Sequence, residues 1–367
     1  MKVGFIVNPI AGMGGKVGLK GTDNVVEEAI RRGATPISPI RAERFLTELS
    51  KYKADVKIIT PPSIMGEEYL HGKSFKYIVK GEIKIPTTRD DTIRFVEEVK
   101  DLIDIIVFVG GDGTARDIYS VIRDEIPVIG VPSGVKIFSG VFTITPEDAA
   151  KLLYEYISGE TIIDLSEVLD IDEDMYRKDI ISLKIYGYMK TPKHKEYLQG
   201  SKTPTPITNV EDELEAIAKY IVEEMENNTL YITCPGTTVK SIHKYLGFKY
   251  TLLGVDLITK EEIIKLDVTE NDILYHLRNY GKAVIIVSPI GGQGIIFGRG
   301  NQVVSPPVIK TVGLNNIIIV STRWKLNTLD CLYLDTDDPI LNREFPDIFK
   351  IVVGYREYRV MRICKHI

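Results

Sequence analysis

The sequence is short of several things, and each shortage removes a class of function. Only three cysteines, Cys234, Cys331 and Cys364, stand in 367 residues. They are odd in number and widely spaced, with no Cys-x-x-Cys pair. Neither a zinc knuckle nor a disulfide framework is therefore expected, and a reducing compartment is their simplest setting. The five histidines carry no His-Glu-x-x-His spacing, so they read as surface or core side chains rather than as metal ligands. The net charge of -5 leaves no basic excess for a nucleic acid or an anionic membrane to meet. No apolar run approaches the ~18 residues that a membrane-spanning helix requires. The start lacks a charged-then-apolar leader, since Met1-Lys2 runs directly into the short stretch Val3 to Val7. A cytoplasmic protein with no nucleic-acid or membrane partner is expected.

What is present suits a packed interior. Hydrophobic residues make up 44% and charged residues 26%, ordinary values for a globular chain. The length exceeds what one core usually serves, so two domains are expected. In the first third, strand and helix patterns alternate. Val3 to Val7 and Asp104 to Val109 are apolar on both faces, as in a parallel sheet covered on each side. Helices are expected at about 24–33, Arg41 to Lys51 and Thr87 to Leu102, the last opening on Thr-Thr-Arg-Asp-Asp, a capping residue followed by an acidic first turn. Strands are expected at Val56 to Thr60 and Ile126 to Val131. This order implies an α/β fold with a doubly wound parallel sheet.

Near residue 150 the pattern changes, which places an N-terminal α/β domain at 1–150 and a mixed, strand-rich α/β domain at 151–367. Its last strands are expected to be able to pack back on the first domain. Residues 190–210, rich in Pro and Thr, read as an exposed loop, and Glu211 to Met225 as a well-patterned helix. Short strands follow at Leu230 to Cys234, Leu252 to Val255, Ala283 to Val287, Asn316 to Val320 and Ile348 to Val353.

The loops carry the chemistry. Val107-Phe108-Val109-Gly110-Gly111-Asp112-Gly113-Thr114 followed by a helical pattern is strand, glycine loop, helix. That geometry aims free backbone N–H groups at an anion, and glycines let the backbone approach a phosphate without a Cβ in the way. A carboxylate among them would repel phosphate unless it binds a metal, accepts a hydroxyl proton or orients a nucleophile. The same residues also suit a tight turn with Asp112 as helix cap. A second glycine loop, Asn8-Pro9-Ile10-Ala11-Gly12-Met13-Gly14-Gly15-Lys16, follows the first strand at the edge where open α/β sheets bind ligands.

These residues resemble a family. Gly110 to Thr114 resembles the signature shared by NAD kinases and diacylglycerol kinases, and Asn8-Pro9-x-Ala11-Gly12 the first-strand loop of diacylglycerol and sphingosine kinases. Ile129-Gly130-Val131-Pro132-Ser133-Gly134 lies where NAD kinases carry a Gly-x-Asn-x-Gly turn. With Cys234-Pro235-Gly236-Thr237-Thr238 and Ser288-Pro289-Ile290-Gly291-Gly292-Gln293-Gly294, the whole is similar to the ATP-NAD kinase-like branch related to the acetoin-catabolism protein X. The resemblance implies an NAD-kinase-like two-domain fold, Mg²⁺, and ATP or polyphosphate as phosphoryl donor. It implies that Asp112 promotes attack by a ribose hydroxyl of NAD, with Gly110, Gly111, Gly113 and Thr114 shaping the phosphate pocket, and that the protein is a homo-oligomer.

Further binding residues are expected at Asn8, Gly12, Gly14, Gly15, Ser133 and Gly134. In the C-terminal half they are Gly236, Thr237, Thr238, Gly291, Gly292, Gln293, Gly294 and Arg299, whose guanidinium could clamp a phosphate bidentately. The threonines could equally be helix caps and the glycines hairpin turns. Asp256 reads as a metal ligand or a strand-end aspartate, and Arg116 and Lys136 as phosphate cations. The pattern departs from NAD kinases at Pro132, where the Asn of the turn is replaced, and in the lack of an Asn-Asn-x-x-Asn-Glu element. The expected function is a kinase forming NADP from NAD. The alternatives are a kinase of another small polar metabolite and a nucleotide-sensing module without turnover. A lipid acceptor is not favoured, because no amphipathic docking stretch stands out.

Overall fold

The computed structural model describes residues 1–17, 26–134, 137–171, 183–194, 210–290 and 294–364. Contacts divide the chain into two units, one of residues 1–14 and 21–202, the other of residues 15–20 and 203–367.

The first unit contains β1 (Lys2–Val7), α1 (Val26–Arg31), α2 (Ser38–Lys51), β2 (Lys57–Thr60), β3 (Lys76–Val79), α3 (Arg89–Val99), β4 (Ile105–Gly110), α4 (Asp112–Ile122), β5 (Val128–Pro132), α5 (Pro146–Ile157), β6 (Thr161–Ile171) and β7 (Leu183–His194). Five strands form one sheet in the order β3-β2-β1-β4-β5, with every neighbouring pair parallel. One face packs Phe5, Val107 and Val109 against Phe45 and Leu46 of α2 and Leu153 of α5. The other packs Ile6, Ile106 and Phe108 against Phe95 of α3 and Ala115 and Ile118 of α4. Burial on both faces explains why these strands are apolar throughout rather than alternating. The capping expected at the third helix is present: Thr88 caps α3 and its N–H donates to Asp91 at 2.7 Å. Strand order reverses between β1 and β4, the switch point at which such sheets open a crevice beyond their C-terminal ends.

The strands β6 and β7 form a separate antiparallel hairpin. The expected boundary near residue 150 falls inside α5, and contacts group this hairpin with the first unit. Val168 and Met189 join the α3–α4 core, and Gly187 passes so close to Tyr119 that a Cβ there would lie 2.0 Å from the phenol oxygen. The loop expected from residue 190 begins later, since β7 continues through Pro192 to His194. A proline is tolerated there because β7 pairs on one side only, and its missing N–H costs no ladder bond on the other.

The second unit contains α6 (Val210–Glu224), β8 (Thr229–Thr233), α7 (Thr237–Leu246), β9 (Asp256–Ile258), β10 (Ile263–Lys265), α8 (Glu270–Leu277), β11 (Lys282–Val287), β12 (Ile295–Phe297), α9 (Pro306–Val312), β13 (Ile317–Val320), α10 (Arg323–Asn327), β14 (Leu332–Leu334), α11 (Pro339–Glu344), β15 (Ile348–Gly354) and β16 (Glu357–Cys364). Nine strands form a mixed sheet in the order β10-β9-β8-β11-β13-β15-β16-β14-β12, with β8, β11, β13 and β15 parallel. The last strands, expected to be able to return to the first domain, are built into this sheet through β13–β15 and β15–β16 pairing. The strand expected at Leu252 to Val255 begins instead at Asp256.

The reading of the cysteines is also corrected. Cys331 and Cys364 form a disulfide bond, while Cys234 is a free, buried thiol. Parallel pairing of β14 with β16 brings together two positions 33 residues apart in sequence, which spacing alone does not reveal. Among the described residues no helix is long and apolar enough to cross a membrane.

Candidate active site

The C-terminal ends of β1, β4 and β5 lie side by side, and the loops leaving them interlock. Asn8 donates from its backbone N–H to the carbonyl of Val109 at 2.9 Å and from its side-chain amide to the hydroxyl of Thr114 at 3.0 Å. Gly12 adopts a left-handed φ of 76° and lies against β5's exit, where a Cβ would stand 1.7 Å from the carbonyl oxygen of Ser133. Ser133 and Gly134 both donate their N–H to the carbonyl of Gly110, at 2.9 and 3.2 Å. A Cβ on Gly110 would meet the Thr114 hydroxyl at 2.5 Å, and one on Gly111 would meet the Cα of Gly134 at 3.2 Å. Close approach of backbone or side chain requires glycine at 12 and 110 and leaves little space for more at 111. The structure thus brings Asn8, Gly12, Gly110, Gly111, Thr114, Ser133 and Gly134 into one cluster.

This cluster surrounds the start of α4, whose first N–H groups have no partner within the helix and present partial positive charge. Gly113 lies half-buried in that first turn. Gly111, not Asp112, occupies the capping position. The Asp112 carboxylate instead accepts the backbone N–H of Phe138 at 2.8 Å and of Ser139 at 2.9 Å. Asp112 is only 6% exposed, and burial pushes its pKa up to about 6, against hydrogen bonds from Ser139 and Phe138 that favour the charged form. The carboxyl is therefore poised between its two protonation states near neutrality, the condition that suits a general base.

Ser139 is a residue the sequence reading missed. Its hydroxyl donates to the carbonyl of Leu169 and accepts the N–H of the same residue, at 2.8 and 2.9 Å, so the β6–β7 hairpin clamps the loop that holds Asp112. Ser38, at the start of α2, was missed as well; it donates to the carbonyl of Ala11 at 3.0 Å and lies 3.0 Å from the Ser133 hydroxyl. Neither could be found from local pattern, because each partner is more than twenty residues away.

Several expected site residues are placed differently. Arg116, read as a phosphate cation, pairs with Asp170 at 2.5 Å and lies 3.6 Å from Asp117, so its charge is met within the first unit. Gly14 is buried in the first unit, whereas Gly15 belongs with the second, where a Cβ would lie 2.8 Å from Gln302. Lys136, Gly291, Gly292 and Gln293 lie outside the described residues.

In the second unit, Gly236 caps α7 with a positive φ of 112°, and Thr237 and Thr238 form its first turn. Gly294, also at positive φ, lies against the carbonyl of Cys331. Arg299 is buried 3.6 Å from Asp335, an internal carboxylate, rather than presented to a ligand. Asp256, expected to meet a metal, meets Lys240 instead. The pair is 2.8 Å apart with both side chains essentially inaccessible. The remaining lone pairs of Asp256 accept from Thr251, through both N–H and hydroxyl, and from the N–H of Asp267. Lys240 and these donors outweigh burial and hold the Asp256 carboxyl below its usual range. Among the described residues no group of three or more His, Cys, Asp or Glu side chains is arranged to hold a metal ion.

Comparison with known proteins accords with this geometry. Residues 3–161 match the description of the ATP-NAD kinase N-terminal domain, and residues 226–363 that of the ATP-NAD kinase C-terminal domain. No curated protein is significantly similar. Solved structures from Bacillus anthracis str. Sterne whose names include the words diacylglycerol kinase align at 19% identity (47% of this chain, 45% of that one, TM-score 0.27) and at 18% identity (47% and 46%, TM-score 0.26). The chain spans less than half the length of those structures. The two domain matches, which together take in most of the sequence, show that the chain belongs to the ATP-NAD kinase family.

Proposed function

We propose that the chain transfers the terminal phosphoryl group of ATP, or of polyphosphate, to the 2′-hydroxyl of the adenosine ribose of NAD, forming NADP. The observation that carries this reading is Asp112: a buried carboxyl, raised to about 6, set in a glycine loop at the sheet's switch point. In the proposed step the acceptor oxygen forms a bond to the terminal phosphorus and the donor's bridging P–O bond breaks. The hydroxyl proton passes to the Asp112 carboxylate, and the shortened donor leaves with the electron pair. Phosphoryl transfer asks mainly for positioning and charge neutralisation, which suits so sparse a set of side chains.

The glycines at 110, 111 and 12 let the loops close on one another around the start of α4, whose unpartnered N–H groups would receive the phosphate oxygens. Magnesium would enter as a companion of the donor's phosphates, with Asp112 the carboxylate of the glycine loop available to it, since Mg²⁺ commonly keeps its waters and takes one or two carboxylates plus substrate oxygens. When bound it would neutralise charge on the transferring group. A homo-oligomer located in the cytoplasm is part of the same proposal, by analogy with the family.

A second reading, a kinase of another small polar metabolite, is favoured by Pro132, which ends β5 where the family resemblance calls for an amide side chain. The two are separated by incubating the purified chain with Mg²⁺ and ATP, or with polyphosphate, against NAD and a panel of nucleosides and sugars. Mass spectrometry of the products is expected to show NADP. A different phosphorylated product would retire NAD as acceptor, and no product at all would overturn phosphoryl transfer.

A further inference from the structure

The helices α6 and α7 of the second unit enclose a cleft of about 530 Å³, within the range of small-molecule sites. Glu211, Leu214, Glu215 and Ala218 line it from α6, a stripe at helical spacing of three and four residues. Thr237, Ser241, Lys244 and Tyr245 line it from α7 at the same periodicity, and Tyr250 and Leu252 complete the wall. Lys240 also borders it, but its ammonium is turned to Asp256 and to the carbonyl of Thr233.

Where two packed helices face each other, such stripes are normally apolar. Ile217, Ile221, Val239 and Ile242 serve that purpose in the shared core. The cleft stripe differs: one wall carries two carboxylates one turn apart and the other an ammonium and two hydroxyls. Among the described residues no side-chain ion pair or hydrogen bond joins Glu211, Glu215 or Lys244 to another group, so the opposed charges are not bridged by each other. The same cleft is lined by the rings of Tyr245 and Tyr250, 45% and 43% exposed, large apolar surfaces left to solvent.

We propose that this cleft binds a zwitterion with an apolar body, an α-amino acid with a large apolar side chain. Its ammonium faces Glu211 and Glu215, its carboxylate faces Lys244 with the hydroxyl of Thr237, and its side chain rests on Tyr245, Tyr250 and Leu252. Charge-assisted contacts of this kind at both ends select a ligand that carries both charges, and the aromatic walls select one with apolar surface. This site is independent of the phosphotransfer reading.

The test is calorimetric titration of the full chain with L-phenylalanine and L-leucine, alongside phenylalaninamide, which lacks the carboxylate, and 3-phenylpropionate, which lacks the ammonium. Saturable binding is expected for the amino acids, weakened about tenfold or more for each truncated analogue. Lys244→Met and the double variant Glu211→Gln/Glu215→Gln alter exposed side chains and should keep the fold, which a thermal melt verifies; each should weaken amino-acid binding to a similar degree. Absence of saturable heat with either amino acid overturns the proposal. So does binding that the analogues and variants leave unchanged, since that would place the ligand elsewhere.

Discussion

Asn8 donates its side-chain amide to the hydroxyl of Thr114 at 3.0 Å, although 106 residues separate the two. The bond ties the loop after the first strand to the first turn of α4, and so fixes the glycine loop that carries Asp112. Asn8→Ala should therefore lower kcat/KM by about tenfold to a hundredfold, the scale of a small misplacement in a positioned reaction. Stability should fall by only ~1 kcal/mol, the net worth of one ordinary hydrogen bond. Steady-state kinetics together with a denaturant titration check both halves; equal losses in fold and activity would speak for a merely structural role.

Gly12 offers a sharper contrast. A Cβ at that position would stand 1.7 Å from the Ser133 carbonyl oxygen, and the backbone is left-handed as well. Gly33 shares the left-handed φ, yet a Cβ there meets nothing within 4 Å. Gly33→Ala should cost ~1 kcal/mol from backbone conformation alone. Gly12→Ala should cost clearly more, about 3 kcal/mol or above, because the loops must also part. Paired urea titrations of the two variants decide the point, and equal costs would show that the close approach is relieved cheaply.

The pH dependence of Asp112 has a definite sign. Its pKa in the fold, about 6, lies above the free-chain value of 3.8, so ionisation opposes folding. The group's favourable contribution is complete below the free-chain value and is lost as pH rises through about 6, to the extent of ~3 kcal/mol. Asp112→Asn removes this titration, but turns one amide N–H₂ toward a backbone donor at Phe138 or Ser139, a pH-independent cost of about 1–3 kcal/mol. The variant should thus gain on the wild type as pH is raised from about 4 to 7. Urea titrations across that window read the difference. A constant gap would mean that Asp112 titrates normally. Activity of the wild type should rise as pH passes about 6, where the carboxylate becomes available as base.

Asp256 and Lys240 make a different kind of pair. Both are buried and each neutralises the other, so removing either leaves a stranded charge. Asp256→Ala should cost about 3–5 kcal/mol. Added Mg²⁺ should not restore the loss, nor should chelation of the wild type reproduce it. Thermal melts with magnesium and with a chelator separate this from metal ligation, which predicts that chelator and variant act alike.

The parts of the fold that were legible are those written in contiguous residues. The strands β1 and β4 announce themselves as short runs apolar on both faces, and the glycines that follow mark the loops, so the parallel sheet and the cluster at its C-terminal edge could be anticipated. The partners of Asp112 could not. Phe138 and Ser139 lie twenty-six and twenty-seven residues away, and the hairpin that secures them was read partly as loop because of Pro192. Asp256 illustrates the same limit: a strand-end carboxylate is ambiguous until Lys240, sixteen residues upstream, is seen beside it. Arg116 and Arg299 read in the sequence as phosphate-binding cations, yet both face acidic partners that only tertiary structure supplies.

The central claim is that Asp112 takes the proton of an acceptor hydroxyl during phosphoryl transfer to NAD. It is tested most directly by following NADP formation from Mg²⁺, ATP and NAD by mass spectrometry, with the wild type and Asp112→Asn side by side. The account predicts NADP from the wild type and a loss of at least about a hundredfold in the folded variant. Equal turnover by the two proteins, or no NADP from the wild type with either ATP or polyphosphate, would contradict it.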